Sequence, residues 1–153
     1  MVKLLQAMAG ARHGGAEAFF TRLAIALERA GQAQRVIIRH DADRADALRR
    51  GGIEPVQLSF GGVLDLVTRR RLAREVRAYQ PDVVMTWMNR ATVKMPRGRF
   101  VHAARLGGYY DLKYYRHCDH LIVNTPGIAE YVIARGWPAE KTHYIANFVD
   151  TDK

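Results

Sequence analysis

Short apolar runs alternate along this chain with stretches whose apolar residues recur at helical spacing. Val2 to Ala9 is an apolar run ending in small residues, the pattern of a strand buried in a parallel sheet. A loop, Gly10-Ala11-Arg12-His13-Gly14-Gly15, follows it. Ala16, Phe19, Phe20, Leu23, Ala24, Leu27 and Ala30 then mark one face of an amphipathic helix, which Gly31 ends. Gln34 to Arg39, around Val36-Ile37-Ile38, predicts a second strand. Asp41 to Arg50 is polar and predicts a short helix or loop before Gly51-Gly52, and Pro55 to Phe60 predicts a third strand. A long helix is predicted from Val63 to Tyr79, with Leu72, Ala73, Val76 and Tyr79 on one side and Arg70, Arg74 and Arg77 on the other. Pro81 stops it. Three more strands are predicted at Asp82 to Trp87, Phe100 to Ala104 and His120 to Asn124. Pro126 suits the start of a last helix running from Gly127 to Arg135, Gly136 closes it, and His143 to Ala146 predicts a final short strand.

Strands alternating with helices predict an α/β domain: a Rossmann-like parallel sheet with helices on both faces and right-handed crossovers. At 153 residues with 48% hydrophobic content, the chain suffices for one domain with a sizeable core. No internal repeat or low-complexity tract interrupts it. The domain is expected over residues 1–146, and the polar end, 147–153, reads as the start of a linker.

Composition narrows the setting. No apolar run approaches the roughly 18 residues that cross a bilayer, and the first residues lack the pattern of a signal peptide. The single cysteine, Cys118, excludes an internal disulfide and offers no metal cluster, so a cytoplasmic location is the default. Twenty-four Lys and Arg against 15 Asp and Glu give a net charge of +9. Arg dominates, and Arg suits phosphate and carboxylate. Nucleic acid, an anionic membrane surface and a phosphorylated substrate all fit such a charge, as does a merely solvated surface.

Candidate chemistry starts where open α/β sheets bind ligands, beyond the carboxyl ends of their strands. Gly14 and Gly15 precede the first helix, where bare backbone and free amide groups accommodate a diphosphate or sugar hydroxyl. Gly10 and Gly14 are separated by three residues, so the loop is not the dinucleotide-binding Gly-x-Gly-x-x-Gly. Glu17 falls in the first helical turn, and the helix dipole explains it. His102 is placed at the end of the fifth strand, on the ligand side, as a candidate general base; a buried histidine satisfied by backbone is the competing reading. Arg105-Leu106-Gly107-Gly108-Tyr109-Tyr110 follows that strand, combining a cation, flexible backbone and aromatic faces suited to sugar rings. Lys113, Tyr114, Tyr115 and Arg116 extend the pattern; a helix with some of these tyrosines packed into the core is the competing reading, and the pattern is also that of single-stranded nucleic-acid surfaces, although no nucleic-acid module accompanies it. Arg70, Arg74 and Arg77 are candidates for contact with anionic lipid, at about 1 kcal/mol each. Signatures of nucleophilic catalysis, metal ligation and phosphate-binding loops are absent.

Taken in order, several segments resemble family 4 glycosyltransferases of the GT-B fold. They are Gly14-Gly15-Ala16-Glu17 with Leu23-Ala24-Ile25-Ala26-Leu27 and Ala30-Gly31; Pro81-Asp82-Val83-Val84; Cys118 to Pro126 with Gly136; and Ile145-Ala146-Asn147-Phe148-Val149-Asp150, with Phe148 where Gly is common. Arg105 to Tyr115 resembles a narrower group that builds lipopolysaccharide and related cell-envelope glycans. The resemblance implies an acceptor-side domain facing, across a cleft, a donor domain absent from these residues. It implies a retaining hexosyltransferase using a nucleotide-diphosphate sugar and a glycan or glycolipid acceptor, without a metal, cytoplasmic or peripheral on the inner face of the cell membrane. His102 falls near an active-site histidine of some members, but Ala103-Ala104 replace its usual acidic or histidine neighbours. This half alone is expected to be inactive. The competing expectation is a non-catalytic basic module that binds an anionic membrane or nucleic acid.

Overall fold

The computed structural model describes residues 1–148. Strands β1 (Leu4–Met8), β2 (Gln34–Arg39), β3 (Val56–Leu58), β4 (Val83–Trp87), β5 (Val101–Leu106), β6 (His120–Val123) and β7 (Thr142–Tyr144) form one parallel sheet in the order β3-β2-β1-β4-β5-β6-β7. The helices are α1 (Gly15–Arg29), α2 (Ala42–Arg50), α3 (Leu66–Tyr79), α4 (Met88–Lys94) and α5 (Pro126–Ala134). The Rossmann-like α/β expectation is therefore met. Side chains alternate across each strand. Met8, Ile38, Met85 and Trp87 meet Phe19, Phe20, Ala45 and Leu48 of α1 and α2 on one face. Leu5, Ile37 and Val84 meet Leu72 and Ala91 of α3 and α4 on the other, and Leu121 and Val123 meet Ile128 and Val132 of α5. Polar caps fix helix starts: Asp41 accepts the Arg44 amide at 2.9 Å and Thr125 accepts the Ile128 amide at 3.1 Å, each worth about 1 kcal/mol.

The polar stretch after Asp41 takes the helical of its two expected forms, and three departures from the sequence reading bear on function. The long helix starts at Leu66, not Val63, because Asp65 caps it by accepting the Thr68 amide at 3.1 Å. Val63 and Leu64 are left in the preceding turn, exposed by 86% and 92%. The helix α4 was not predicted, whereas the 3-10 turn at Leu112–Tyr115, with Tyr115 buried, fits the competing reading of a helix that packs a tyrosine into the core. Finally, β5 runs to Leu106, so Arg105 belongs to the strand and not to the loop after it. No helix among the described residues is long and apolar enough to cross a membrane. Of the expected linker, residues 149–153 lie outside the described residues, whereas Phe148 packs edge-on against Phe19 with ring centres 5.1 Å apart.

Candidate functional site

The chain leaves β1 toward one edge of the sheet and β4 toward the other, so the crevice at their carboxyl ends is the switch point where such sheets bind ligands. The glycine loop after β1 lies there, clamped from two sides. Glu17 is buried and its Oε1 accepts the Ala11 amide at 3.0 Å. Arg44 from α2, also buried, donates Nη2 to the carbonyls of Ala11 (2.8 Å) and Arg12 (3.3 Å) and lies 3.6 Å from Asp41. The Glu17 carboxylate explains two glycines. A Cβ on Gly10 would come within 2.6 Å of Glu17 Cγ, and one on Gly14 within 2.1 Å of its Oε2. Gly15 faces open space. No side chain caps the first amides of α1, so they point out from the loop.

Arg105 stands beside this helix start. Its guanidinium stacks on Phe19 (4.8 Å to the ring centre) and Trp87 (5.2 Å), and the residue is only 6% exposed. Nη2 donates to the Ile145 carbonyl at 3.2 Å and to Asn147 Oδ1 at 2.5 Å. No carboxylate among the described residues pairs with it, and burial lowers its pKa. A buried cation normally has a counter-charge, and among the described residues Arg105 has none. Ala16, Met88, Gly107, Tyr110 and Asn124 complete the small recess around it. Asn124 Oδ1 is buried there without a hydrogen-bond partner. Met88 holds a left-handed backbone (φ 71°), a conformation unusual for a side-chain-bearing residue and one that clusters at functional sites.

Of the predicted site residues, the structure thus gathers Arg105 and Gly107 with Ala16, the neighbour of Gly15. It separates the others. Gly108 bends the chain away, and Tyr109 packs edge-on against Tyr131 over the start of α5, 64% exposed, leaving Tyr110 at the recess. Tyr115 is a core residue whose hydroxyl donates to Asn89. The expected position of His102 is overturned. It is the second residue of β5, near the amino end of the strand, because the strand continues three residues past Ala103. Its side chain also lies on the opposite face from that of Arg105, since the two differ by an odd number of positions.

There His102 is buried and its backbone amide donates to Asp119 at 2.9 Å. Thr92 Oγ1 donates its one proton to the Met88 carbonyl (3.0 Å), so Thr86 donates to Thr92 (2.9 Å) and His102 must donate from Nε2 to Thr86 (2.8 Å). Burial, slightly offset by Asp119, lowers its pKa to about 4. The imidazole is therefore a neutral structural donor at neutral pH, supporting the strained Met88 turn from below. Arg70, Arg74 and Arg77 are exposed on α3, in line with exposed Leu66 and Val67. No group of three His, Cys, Asp or Glu side chains among the described residues could hold a metal ion.

Sequence reasoning missed Glu17 as a clamp, Arg44, Asn124 and Met88. A charged residue buried through a distant contact has no local signal. Glu17 spaced three residues after Gly14 was the available hint.

Comparison with known proteins agrees with this layout. The chain is 37% identical over 151 residues to the lipopolysaccharide core biosynthesis glycosyltransferase LpsE of Rhizobium meliloti (strain 1021), covering 93% of this chain and 42% of that protein. It is 34% identical over 143 residues to LpsD of the same organism, covering 88% of this chain and 40% of LpsD. The chain thus spans less than half the length of these relatives. The crystal structure of Anabaena HepE in complex with UDP superposes with a TM-score of 0.73 at 20% identity, over 98% of this chain and 45% of HepE, a likeness of fold. The profile of Glycosyltransferase Family 4 matches residues 13–153, and the chain belongs to that family.

Proposed function

We propose that this chain is the acceptor-side half of a retaining enzyme that transfers a hexose from a nucleotide-diphosphate sugar to a glycan or glycolipid acceptor of the lipopolysaccharide core. The observation that carries this reading is Arg105, a buried guanidinium with no carboxylate partner among the described residues, beside the uncapped start of α1 at the sheet's switch point. Glycosyl transfer builds negative charge on the departing diphosphate. Fixed donors aimed at that charge lower the barrier most when they need no rearrangement. The stack of Phe19 and Trp87 and the clamp of Glu17 and Arg44 keep both donors in place. The names of LpsE and LpsD support the acceptor class, and the UDP bound to HepE supports the donor class. In this reading a second domain, beyond these 153 residues, holds the nucleotide sugar. His102 transfers no proton. Leu66, Val67, Arg70, Arg74 and Arg77 form a face for peripheral contact with an anionic membrane, about 1 kcal/mol per arginine.

The protein that carries this domain together with its donor half is expected to release nucleoside diphosphate from a nucleotide hexose when a lipooligosaccharide acceptor is added. The 153-residue chain alone is expected to release none. Acceptor-dependent release by the chain alone, or none by the longer protein with any nucleotide hexose, overturns the reading.

The glycine loop offers a sharper test. With nothing within 4 Å of a Cβ on Gly15, the side chain added by Gly15→Val starts in open space. The variant should unfold within about 1 kcal/mol of the wild type, yet lower turnover of the two-domain enzyme by about tenfold or more, because an incoming ligand meets the added methyls. Thermal melts and steady-state rates measure the two effects; unchanged turnover would show that the loop serves only as a turn.

A further inference from the structure

Away from Arg105, three more cations converge on a second cleft of about 290 Å³, between the turn that precedes α3, the helix α4 and Tyr114. Arg90 Nη1 donates to the Phe60 carbonyl at 2.9 Å, Lys94 Nζ to the Gly62 carbonyl at 2.8 Å, and Arg69 Nη1 to the Val93 carbonyl at 3.4 Å. These carbonyls hold the side chains in place without neutralising them. None of the three is within ion-pair distance of a carboxylate among the described residues. Asp65, the nearby acid, is committed to Thr68 and to the Gly61 amide. Lys94 is only 4% exposed, and burial, reinforced by Arg69 and Arg90 and partly offset by Asp65, lowers its pKa. Three positive groups held by carbonyls, with Lys94 desolvated, Arg69 half-buried and Arg90 open to solvent, make a site that an anion between them would stabilise.

The surface changes at its edge: Val63, which lines the cleft, and the next residue, Leu64, project almost fully into solvent, and Leu66 and Val67, which follow in the chain, are 56% and 66% exposed. Tyr114 contributes a half-open aromatic ring suited to the apolar side of a sugar. A cationic floor, an aromatic wall and an aliphatic lip together match an amphiphile whose sugar carries the charge. The helix α4 joins this cleft to the Arg105 recess, since Met88 lines one and Arg90 and Lys94 the other. The step from Met88 to Lys94 is about 9 Å along the helix axis.

We propose that this cleft is the acceptor subsite and that it takes the phosphate- or carboxylate-bearing sugar of a lipid-linked glycan, with Val63, Leu64, Leu66 and Val67 against the lipid. The word acceptor rests on the transferase reading above; the preference for a sugar anion does not. The chain itself, followed by NMR, is the test. Glucose 6-phosphate and glucuronate should shift resonances of Arg90, Lys94 and Tyr114, and neutral glucose should not. Inorganic phosphate should bind more weakly than glucose 6-phosphate, since it cannot use Tyr114. Arg90→Gln and Lys94→Met should each weaken glucose 6-phosphate by about tenfold or more, whereas Arg50→Gln, at the exposed end of α2, should not. Dodecyl phosphate below its micelle concentration should bind at least about tenfold more tightly than ethyl phosphate, and Leu64→Ser should remove that gain. Equal binding of glucose and glucose 6-phosphate, or affinities untouched in both Arg90→Gln and Lys94→Met, overturns the anion site. Transfer to a lipid-linked acceptor at wild-type KM by the two-domain Arg90→Gln enzyme overturns its acceptor role. Binding retained in an enzyme that transfers nothing would count against the transferase reading alone.

Discussion

Arg105→Met is expected to cut transfer by the two-domain enzyme about 10²- to 10³-fold while leaving the fold as stable as before, or more so. The two effects have separate causes. For stability, the guanidinium is desolvated between Phe19 and Trp87, and burial alone accounts for its lowered pKa. An uncompensated buried charge is costly, and replacing it by an apolar group of similar length is often neutral or stabilising. Against this stand two hydrogen bonds, to Ile145 and Asn147, and two cation–π contacts, each worth about 1 kcal/mol. The terms are close enough to cancel. For catalysis there is no such cancellation, because methionine offers nothing to a departing diphosphate. Arg105→Lys should recover little of the loss, since an ammonium neither stacks between two rings nor presents a planar fork. Melting of the chain and kcat/KM of the longer enzyme measure the pair of effects. A variant that retains wild-type kcat/KM removes Arg105 from the site. Strong destabilisation, by about 3 kcal/mol or more, would show instead that the stack is a structural tie.

The contrast between Arg105 and His102 shows what the sequence could and could not convey. The periodic elements were legible: α1 repeats its apolar residues at three and four positions, and strands β1, β2 and β4 each carry a cluster of apolar residues suited to a covered sheet. The ends of elements were not. Arg105 interrupts an apolar run, so the strand seemed to finish at Ala104, and that two-residue error moved His102 from the amino end of β5 to its carboxyl end. A guanidinium roofed by two rings from α1 and β4 looks, in one dimension, like a loop cation. The short helix α4 was invisible for another reason. Its seven residues, Met-Asn-Arg-Ala-Thr-Val-Lys, include weak helix formers, and tertiary contacts rather than propensity hold it. The subsite cations Arg90 and Lys94 lie on that helix, so the proposed acceptor cleft could not be assembled from sequence. The Gly14-Gly15 loop was found by position, but the reason for its first glycine, the buried Glu17 carboxylate, needed the fold.

His102 should make this domain sensitive to acid. An unfolded histidine takes up a proton near pH 6.5, whereas the folded His102 stays neutral down to about pH 4 because burial opposes the charged ring. Between these values the unfolded state binds more protons, so stability is full above about pH 6.5 and falls as the pH drops toward 4. The loss approaches roughly 3 kcal/mol, a large share of what a domain of this size has in reserve. The geometry makes the cost specific. Nε2–H is already committed to Thr86, so the added proton would sit on Nδ1 in a buried site beside the Phe100 ring, whose centre is 6.2 Å away. His102→Gln keeps an N–H donor for Thr86 but cannot titrate. Urea unfolding of wild type and variant from pH 7 to pH 4.5 should show the two stabilities converging as the pH falls, even if the variant starts about 1 kcal/mol lower from lost packing. Subtracting the curves removes the contributions that the two proteins share. Parallel curves would mean that His102 is as easily charged in the folded state as in the unfolded one, and the general-base role set aside for it would then be open again. The relay gives a second readout. If His102 supports Met88 through Thr86 and Thr92, His102→Leu, which leaves Thr86 without its donor, should disturb the Arg105 recess, moving the Trp87 indole resonance although no atom of His102 reaches that side of the sheet.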